Sequence, residues 1–258
     1  MERLEYGQTG LEISRLCFGA GHLKNACASY EEGGKLLRAA FDCGITFWDT
    51  AEGYGSQPHV GAGLDGMDRS QVVIQTKTTA KDYEGARKSI SRSLREMKTD
   101  YIDVLLLHGV SSPEDLQSRE GAFKALLDAK REGLVRVVGC STHLHTGPVM
   151  DAVIDHPEIQ VILTTANKEG RMLEGSLVRH LEYIKRANER GKGISIMKVI
   201  AAGQIDESEI ADWIRWGFEL ETAHAINLGI SKYPQIDLDV GIARDHAKAR
   251  RVSQSKAA

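Results

Sequence analysis

Residues 47–55 read Phe-Trp-Asp-Thr-Ala-Glu-Gly-Tyr-Gly, an apolar segment that ends in a carboxylate and is followed five positions later by a tyrosine beside a glycine. Two further apolar segments end in polar groups: residues 72–77 end in Lys77, and residues 104–108 end in His108. Short apolar runs of this kind predict buried strands. Polar groups at the ends of successive strands indicate that they share one functional site.

Eight apolar strands of this type alternate with amphipathic helices along the chain. The predicted strands cover about residues 16–19, 45–49, 71–77, 102–108, 135–141, 161–166, 193–199 and 225–230. They are apolar throughout rather than alternating, which indicates a sheet covered on both faces and therefore parallel strands. Eight strand–helix units in 258 residues predict an α/β fold, a closed (β/α)8 TIM barrel.

An open doubly wound sheet is the competing architecture. It would need a Gly-x-Gly-x-x-Gly turn after the first strand, and residues 19–24 do not complete one. A hairpin is predicted before the barrel, with Leu4 and Tyr6 preceding a turn at residues 7–10. No linker divides the chain, so residues 1–258 are predicted to form a single domain. Its polar tail, residues 251–258, is expected to be frayed.

Composition narrows the possible partners and locations. The formal net charge is −3 without a basic stripe, so nucleic acid is not an expected partner. No apolar segment approaches the ~18 residues that span a bilayer, and the N-terminus lacks the apolar core of a signal peptide. The four cysteines lack metal-type spacing and are expected to be buried, reduced thiols. We therefore expect a cytoplasmic protein with no metal site.

The polar groups at the strand ends form a chemically specific set if they meet at one mouth of a barrel. A phenol, with a pKa of about 10, is a poor acid at neutral pH, and an ammonium beside Tyr54 is expected to lower that pKa. Asp49 would keep Lys77 charged, and His108 can orient a carbonyl oxygen. Each residue alone has an ordinary structural explanation, such as a helix cap for Asp49. Together they predict proton donation to a carbonyl oxygen.

Three segments carry a family resemblance along nearly the whole chain. Residues 6–16 read Tyr-Gly-Gln-Thr-Gly-Leu-Glu-Ile-Ser-Arg-Leu, residues 49–55 surround the tyrosine, and residues 98–104 lead into the fourth strand. These segments resemble the barrel-closing hairpin, the acid-tyrosine signature and the fourth strand of the aldo-keto reductase superfamily. The resemblance implies reduction of an aldehyde or ketone to an alcohol, with a catalytic tetrad of Asp49, Tyr54, Lys77 and His108 in which Tyr54 donates the proton.

The resemblance also implies a cofactor, NADP(H) or NAD(H), extended across the barrel mouth without a Rossmann fold. The residues implied to bind it are Ser141, Thr142, Asn167, Met197, Lys198, Gly229, Ser231, Lys232, Gln235 and Asp239. Thr142 and Leu163 replace a usual asparagine and glutamine, which predicts a cofactor affinity weaker than is usual in the family. Lys232 is the cation available to a 2′-phosphate and Asp239 would oppose it, so the choice between NAD and NADP stays open.

The substrate side is predicted to be open. The three loops that close over substrate in this family are short here, which predicts loose selectivity among carbonyl substrates. His22 and Trp48 are candidates to line the mouth, although Trp48 could equally face the helices. The related bacterial branch often carries a C-terminal cysteine-rich cluster domain. This sequence lacks one, so electron transfer through such a cluster is not expected.

Two other functions remain as alternatives from the sequence alone. The altered positions Thr142 and Leu163 are compatible with a cofactor-sensing barrel that has little turnover. Lys77 and Lys198 both end barrel strands, which is the arrangement of a Schiff-base lyase. The lyase leaves the spacing between Asp49 and Tyr54 unexplained and therefore ranks below the reductase.

Overall fold

Eight parallel strands close into a barrel preceded by an antiparallel hairpin, as the sequence predicts. The structure is a computed structural model that describes residues 1–143 and 146–257. Within these residues the strands, β1 to β10 in chain order, are Arg3–Glu5, Glu12–Ser14, Leu16–Gly19, Phe47–Asp49, Val73–Thr78, Ile102–Leu107, Val135–Thr142, Val161–Thr165, Gly193–Met197 and Ala225–Gly229. The α-helices, α1 to α10, are Leu23–Ala26, Tyr30–Asp42, Gln57–Leu64, Tyr83–Met97, Pro113–Ser118, Glu120–Arg131, Thr146–Ile154, Leu177–Glu189, Ile210–Glu219 and Tyr233–Ala257.

The barrel consists of β3 to β10 in sequence order, and every pairing between neighbours is parallel. It closes where β10 pairs with β3, with Ile226 opposite Leu16. Alternate residues of each strand enter one of two apolar clusters. The smaller cluster, which includes Phe47, Leu106 and Met197, fills the interior. The larger one lies between the strands and the helices, which is the layered packing expected of this fold.

The hairpin β1–β2 covers the bottom of the barrel. The Tyr6 hydroxyl lies 2.9 Å from Ser195 Oγ inside the barrel, and the Gln8 amide donates to the carbonyl oxygen of Gly191 at 2.8 Å. Gly7 has φ +61° at the turn, and a Cβ there would lie 2.3 Å from the backbone nitrogen of Gly193. Only glycine permits both that conformation and this close approach. The predicted closure by an N-terminal hairpin is confirmed.

The start of α2 and the length of α10 add local detail to the fold. Ser29 caps α2 by accepting from the Glu32 amide at 3.2 Å, but the Glu32 carboxylate accepts from the Ala28 amide rather than the Ser29 amide, so the reciprocal bond of a capping box is displaced by one residue. Helix α10 continues to Ala257. Residues 251–257 of the predicted frayed tail are therefore helical, and Ala258 lies outside the described residues.

Among the residues that the structure describes, no helix combines the length and apolar character needed to cross a membrane.

Candidate active site

The polar residues predicted at the strand ends gather at the C-terminal mouth of the barrel. Asp49 is the last residue of β4, Lys77 lies in β5, and His108 directly follows β6. Tyr54 ends a single 3₁₀ turn, Glu52–Tyr54, in the loop after β4. Parallel strands bring their carboxyl ends to one rim, so three consecutive strands place these groups side by side.

Lys77 and Asp49 form a buried ion pair at the base of this site. The Lys77 ammonium donates to both carboxylate oxygens of Asp49 at 2.7 Å and to the carbonyl oxygen of Thr50 at 2.8 Å. Gln75 holds the same carboxylate from the other side, donating to Oδ1 at 2.8 Å. Burial acts to lower the Lys77 pKa, but the charges of Asp49 and Tyr54 outweigh it and raise that pKa. The ammonium is therefore held charged and fixed.

Tyr54 packs over this ammonium and against His108. The Lys77 Nζ atom lies 5.0 Å from the centroid of the Tyr54 ring, and the His108 ring meets it edge-on with centroids 5.6 Å apart. Burial raises the Tyr54 pKa, Lys77 acts to lower it, and Asp49 raises it further. The expectation that Lys77 lowers the Tyr54 pKa is therefore wrong for the net effect, because the loss of water dominates.

Glu52 fastens the turn that carries Tyr54, and the sequence-based prediction missed this role. Its carboxylate accepts from the Thr79 amide at 2.6 Å, the Thr79 hydroxyl at 2.7 Å, the Thr78 hydroxyl at 3.2 Å, Arg92 at 2.8 Å and the Ser89 hydroxyl. Burial acts to raise the Glu52 pKa, but these donors lower it overall. The turn is thereby tied to the end of β5 and to α4.

Two neutral imidazoles stand at the mouth. Burial, together with the Lys77 charge, lowers the His108 pKa to about 4. His143, which the sequence-based prediction missed, has its pKa lowered to about 4 by burial and the Lys198 charge. The two rings are 5.7 Å apart. Both side chains are uncharged at neutral pH, so they act there through hydrogen bonds rather than as positive charges.

A cavity of about 470 Å³ opens beside Tyr54. Its lining includes His22, Tyr54, His143, Leu163, Met197 and Lys198. Trp48 does not line it, because its indole N–H donates to the carbonyl oxygen of Ile45 at 3.1 Å and the ring packs in the cluster under the helices. Of the two positions left open for Trp48, the structure therefore shows the one that faces the helices, whereas His22 lines the cavity as predicted.

Lys198 gives this cavity an unpaired cation. It follows β9 in a left-handed conformation, with φ +57°. Burial lowers its pKa, and within the described part of the chain it has no ion-pair partner. Met197, directly before it, faces the cavity from the barrel interior.

Three other predicted cofactor residues do not line the cavity, and two of them form hydrogen bonds within the protein. Ser141 Oγ accepts from the Gly109 amide at 2.9 Å. The Thr142 hydroxyl is buried and has no hydrogen-bond partner among the described residues, and neither residue lines the cavity. The Asn167 amide closes its own loop, donating to the Arg171 carbonyl oxygen at 2.8 Å and accepting from the Arg171 amide at 2.9 Å. Cofactor contacts from these three residues stay predictions.

The remaining predicted residues border the junction of β10 and α10. Gly229, Ser231 and Gln235 line the cavity beside Tyr54. The Gln235 side chain accepts from the Ser231 amide at 2.8 Å and the Lys232 amide at 3.2 Å, which caps the start of α10. Lys232 and Asp239 line a second cavity of about 370 Å³ that shares Gly229 and Gln235 with the first. After the roles that the sequence predicts for them, we call the group Asp49, Tyr54, Lys77 and His108 the proton-transfer end and the group Lys232, Gln235 and Asp239 the nucleotide end.

Known proteins are similar to this chain in sequence and fold. The model of the aldo/keto reductase family matches residues 15–209. L-galactose dehydrogenase from Arabidopsis thaliana is 30% identical over 236 residues, which cover 84% of this chain and 71% of that protein. Methylglyoxal reductase DkgB from Escherichia coli O157:H7 is 29% identical over 178 residues, covering 67% of this chain and 64% of the reductase.

Solved structures give the same result for the architecture. PA4992 from Pseudomonas aeruginosa, assigned as an aldo-keto reductase, superposes with a TM-score of 0.80 at 25% identity, covering 95% of this chain and 96% of that one. An aldo-keto reductase from Bombyx mori, solved in complex with NADP, gives a TM-score of 0.70 at 18% identity, covering 93% of this chain and 87% of that one. At that lower identity the likeness concerns the fold alone.

Proposed function

The chain belongs to the aldo/keto reductase family, and from that premise we propose that Tyr54 is the proton donor for reduction of a small aldehyde or ketone. The protein is an NAD(P)H-dependent oxidoreductase. The observation that carries the proposed roles is the buried Lys77 ammonium, held by three hydrogen bonds with its nitrogen 5.0 Å from the Tyr54 ring. No other tyrosine in the described residues has a comparable neighbour at the mouth.

The residues around Tyr54 fit a nicotinamide dinucleotide. Leu163 and Met197 supply an apolar surface for a flat ring, and Lys198 is a cation without an ion-pair partner among the described residues, suited to the pyrophosphate. When bound, the reduced cofactor supplies the hydride that the carbonyl carbon accepts. In this proposal Met197 would hold the nicotinamide ring and Lys198 would hold the pyrophosphate.

The protein's own contribution is to keep a proton ready and to stabilise the charge left by its transfer. The raised pKa keeps Tyr54 protonated at neutral pH. An alkoxide forming at the substrate is a stronger base than a phenolate, so proton transfer from Tyr54 Oη is downhill. The Lys77 ammonium then stabilises the phenolate in a site with little water, where charge interactions are strong.

Asp49 and His108 have supporting roles in this proposal. Asp49 fixes the Lys77 ammonium and keeps it charged, so Lys77 does not move during proton transfer. His108 is neutral because its pKa is about 4, so it orients the carbonyl oxygen by a hydrogen bond and is not the acid. A group that is almost wholly deprotonated at neutral pH cannot be the main proton donor there.

The Tyr54→Phe variant tests the proposal. Loss of a general acid predicts a fall in turnover of about 10²–10⁴-fold, with the dissociation constants of NADH and NADPH nearly unchanged. Cofactor binding is measured by fluorescence titration, and turnover by cofactor oxidation across a panel of carbonyl compounds. Tyr30→Phe, at a tyrosine that is 54% exposed, serves as the matched control. Wild-type turnover in Tyr54→Phe would remove Tyr54 from the mechanism.

The alternative functions gain no support. A Schiff base requires a free amine that a carbonyl can reach, and Lys77 is 1% exposed with its three protons donated to Asp49 and Thr50. Lys198 does line the cavity, but a lyase that used it would leave the buried pair of Lys77 and Asp49 beneath Tyr54 without a role. A sensing barrel with little turnover is opposed by the relatives, which are named as a dehydrogenase and a reductase.

We also propose that residues 1–258 form a single catalytic domain and that the protein acts in the cytoplasm. Because the loops around the mouth are short, we propose that it accepts several small carbonyl compounds. The two relatives named above bear the names of a sugar and of methylglyoxal, so both classes belong in the carbonyl panel. Equal turnover of chemically distinct carbonyls would support loose selectivity, and strict preference for one would contradict it.

A further inference from the structure

The nucleotide end contains a buried carboxyl group without a partner. Asp239 is 4% exposed and, in the described part of the chain, makes no hydrogen bond or ion pair. Burial raises its pKa to about 7, because water is removed and no cation takes its place. Buried carboxylates in folded proteins are almost always paired or hydrogen-bonded, so an unpartnered one that lines a cavity points to a ligand.

The cavity that Asp239 lines continues the one beside Tyr54. The two share Ile200, Leu228, Gly229 and Gln235. A dinucleotide has two ring systems, and only one can lie next to the proton donor. The neighbouring cavity is lined mainly by apolar side chains such as Ile210, Ile214 and Leu238, which suits a second flat ring. Given the proposed function, the adenosine half occupies this second cavity.

The charges around the second cavity favour one form of the nucleotide. Its charged lining residues are Glu207, Lys232 and Asp239, two acids and one base. A 2′-phosphate brings about two negative charges, and Lys232 alone opposes them from an exposed position. An unmodified ribose instead offers two hydroxyl donors to a carboxyl group that accepts no hydrogen bond from the described residues. Carboxylate acceptors for ribose hydroxyls are the usual means of selecting NAD in other folds.

We propose that Asp239 selects NAD(H) over NADP(H) by accepting hydrogen bonds from the adenosine ribose and repelling a 2′-phosphate. This inference rests on the proposed function, since it requires the dinucleotide to lie with its nicotinamide at Tyr54. Asp239 is one helical turn beyond Gln235, on the same face of α10. The selecting group therefore belongs to the helix whose start Gln235 caps.

The test is a fluorescence titration of the full chain with NADH and with NADPH. Wild type is expected to bind NADH at least about tenfold more tightly, because like charges brought together at a binding site are costly. Asp239→Asn is expected to reduce that preference by about tenfold or more. Asp237→Asn is the matched control: it removes the same charge from an exposed position on the same helix and should leave the preference unchanged.

The outcomes separate the two proposals. Equal or tighter binding of NADPH by wild type overturns the selection of NAD(H), and this result does not depend on whether Asp239→Asn folds. An unchanged preference in a folded Asp239→Asn variant removes the assignment to Asp239. If neither nucleotide binds, the proposed function itself fails. If NADPH binds more tightly and supports turnover that Tyr54→Phe abolishes, the proposed function stands and this inference alone is rejected.

Discussion

The proton-transfer end and the nucleotide end lie along one groove but are built differently. At the proton-transfer end, Lys77 donates to three acceptors and Asp49 is held by Lys77 and Gln75 together. At the nucleotide end, the Asp239 carboxyl has no partner among the described residues, and Lys232 is exposed. Among the described residues, the charged groups are thus paired within the protein at one end and unpaired at the other.

The roles proposed for the two ends account for this difference. Proton transfer needs an ammonium in a fixed place before substrate arrives, and a fixed charge needs partners that the protein supplies. Nucleotide recognition can use polar groups that form their hydrogen bonds only with the bound nucleotide. An unpaired buried group raises the free energy of the free protein, so its pairing with a ligand favours the complex. The first arrangement increases rate, and the second increases selectivity.

Among the variants that test this comparison, Lys77→Met is expected to have the largest effect on stability and turnover. It leaves Asp49 buried without its cation, which predicts a loss of ~3–5 kcal/mol in the free energy of unfolding, together with loss of turnover. Denaturant unfolding measures the first and cofactor oxidation the second. Lys232→Met, at the nucleotide end, should change stability by about 0.5 kcal/mol or less. Similar effects from both variants would erase the distinction between the ends.

Glu52→Ala should have the next largest effect, a fall in turnover, because it removes the hydrogen bonds that hold the turn carrying Tyr54. A displacement of about 1 Å at a reacting group can reduce the rate by ~10²-fold, so we expect turnover to fall ~10–100-fold. The Kd of the cofactor should stay within about twofold, since Glu52 does not line the nucleotide end. Glu52→Gln, which keeps some hydrogen bonds, should recover part of the rate. Unchanged turnover in Glu52→Ala would show that the turn holds without it.

The pH dependence of stability should differ in sign between the ends. The His108 pKa is lowered to about 4 in the folded state, so the unfolded chain binds more protons between about pH 4 and 6.5 and stability falls as pH falls. The Asp239 pKa is raised to about 7, so the folded state binds more protons between about pH 4 and 7 and stability falls as pH rises.

Removing each group should therefore change the pH slope of stability in opposite directions. His108→Gln makes the slope less positive and Asp239→Asn makes it more positive, each by up to about 1.4 kcal/mol per pH unit. Urea unfolding at half-unit steps from pH 4.5 to 6.5 measures both. A change of the same sign in the two variants would contradict the pKa directions on which the comparison rests.

Tyr6→Phe should have the smallest effect on catalysis and serves as a reference outside both ends. It removes the contact with Ser195 at the bottom of the barrel, which predicts a loss of about 1 kcal/mol in the free energy of unfolding. Turnover and both nucleotide dissociation constants should match wild type. Altered kinetics in this variant would mean that the bottom and the mouth are coupled.

The sequence predicted the barrel closely because its strands are short apolar runs bounded by helices. Predicted and observed barrel strands agree within two residues at each end, for example 45–49 against Phe47–Asp49. The ends of α10 and the short helices α1 and α5 were less predictable, because capping and packing rather than a long hydrophobic period define them. Ser112, for instance, begins α5 by accepting from the Asp115 amide at 3.1 Å.

The candidate site was predictable where a strand end fixes the side chain and not where a loop does. Asp49, Lys77 and His108 follow from strand ends alone. Gln75 could have been found, since it lies two residues before Lys77 on the same face of β5. His143 and Glu52 lie in loops whose course depends on tertiary contacts, so no local pattern indicates them. The sign of the Tyr54 pKa shift also required the structure, because it depends on how much water is excluded.

The closed bottom of the barrel affects how Tyr54 can regain a proton from solvent. Tyr6 and the hairpin cover the lower opening, and the cavity that Tyr54 lines lies at the mouth, so we expect solvent to approach Tyr54 from the side that ligands use. We therefore expect Tyr54 to regain its proton only after product has begun to leave. Product release and reprotonation of Tyr54 would then use the same opening. A solvent deuterium isotope effect on the rate of product release would support this coupling.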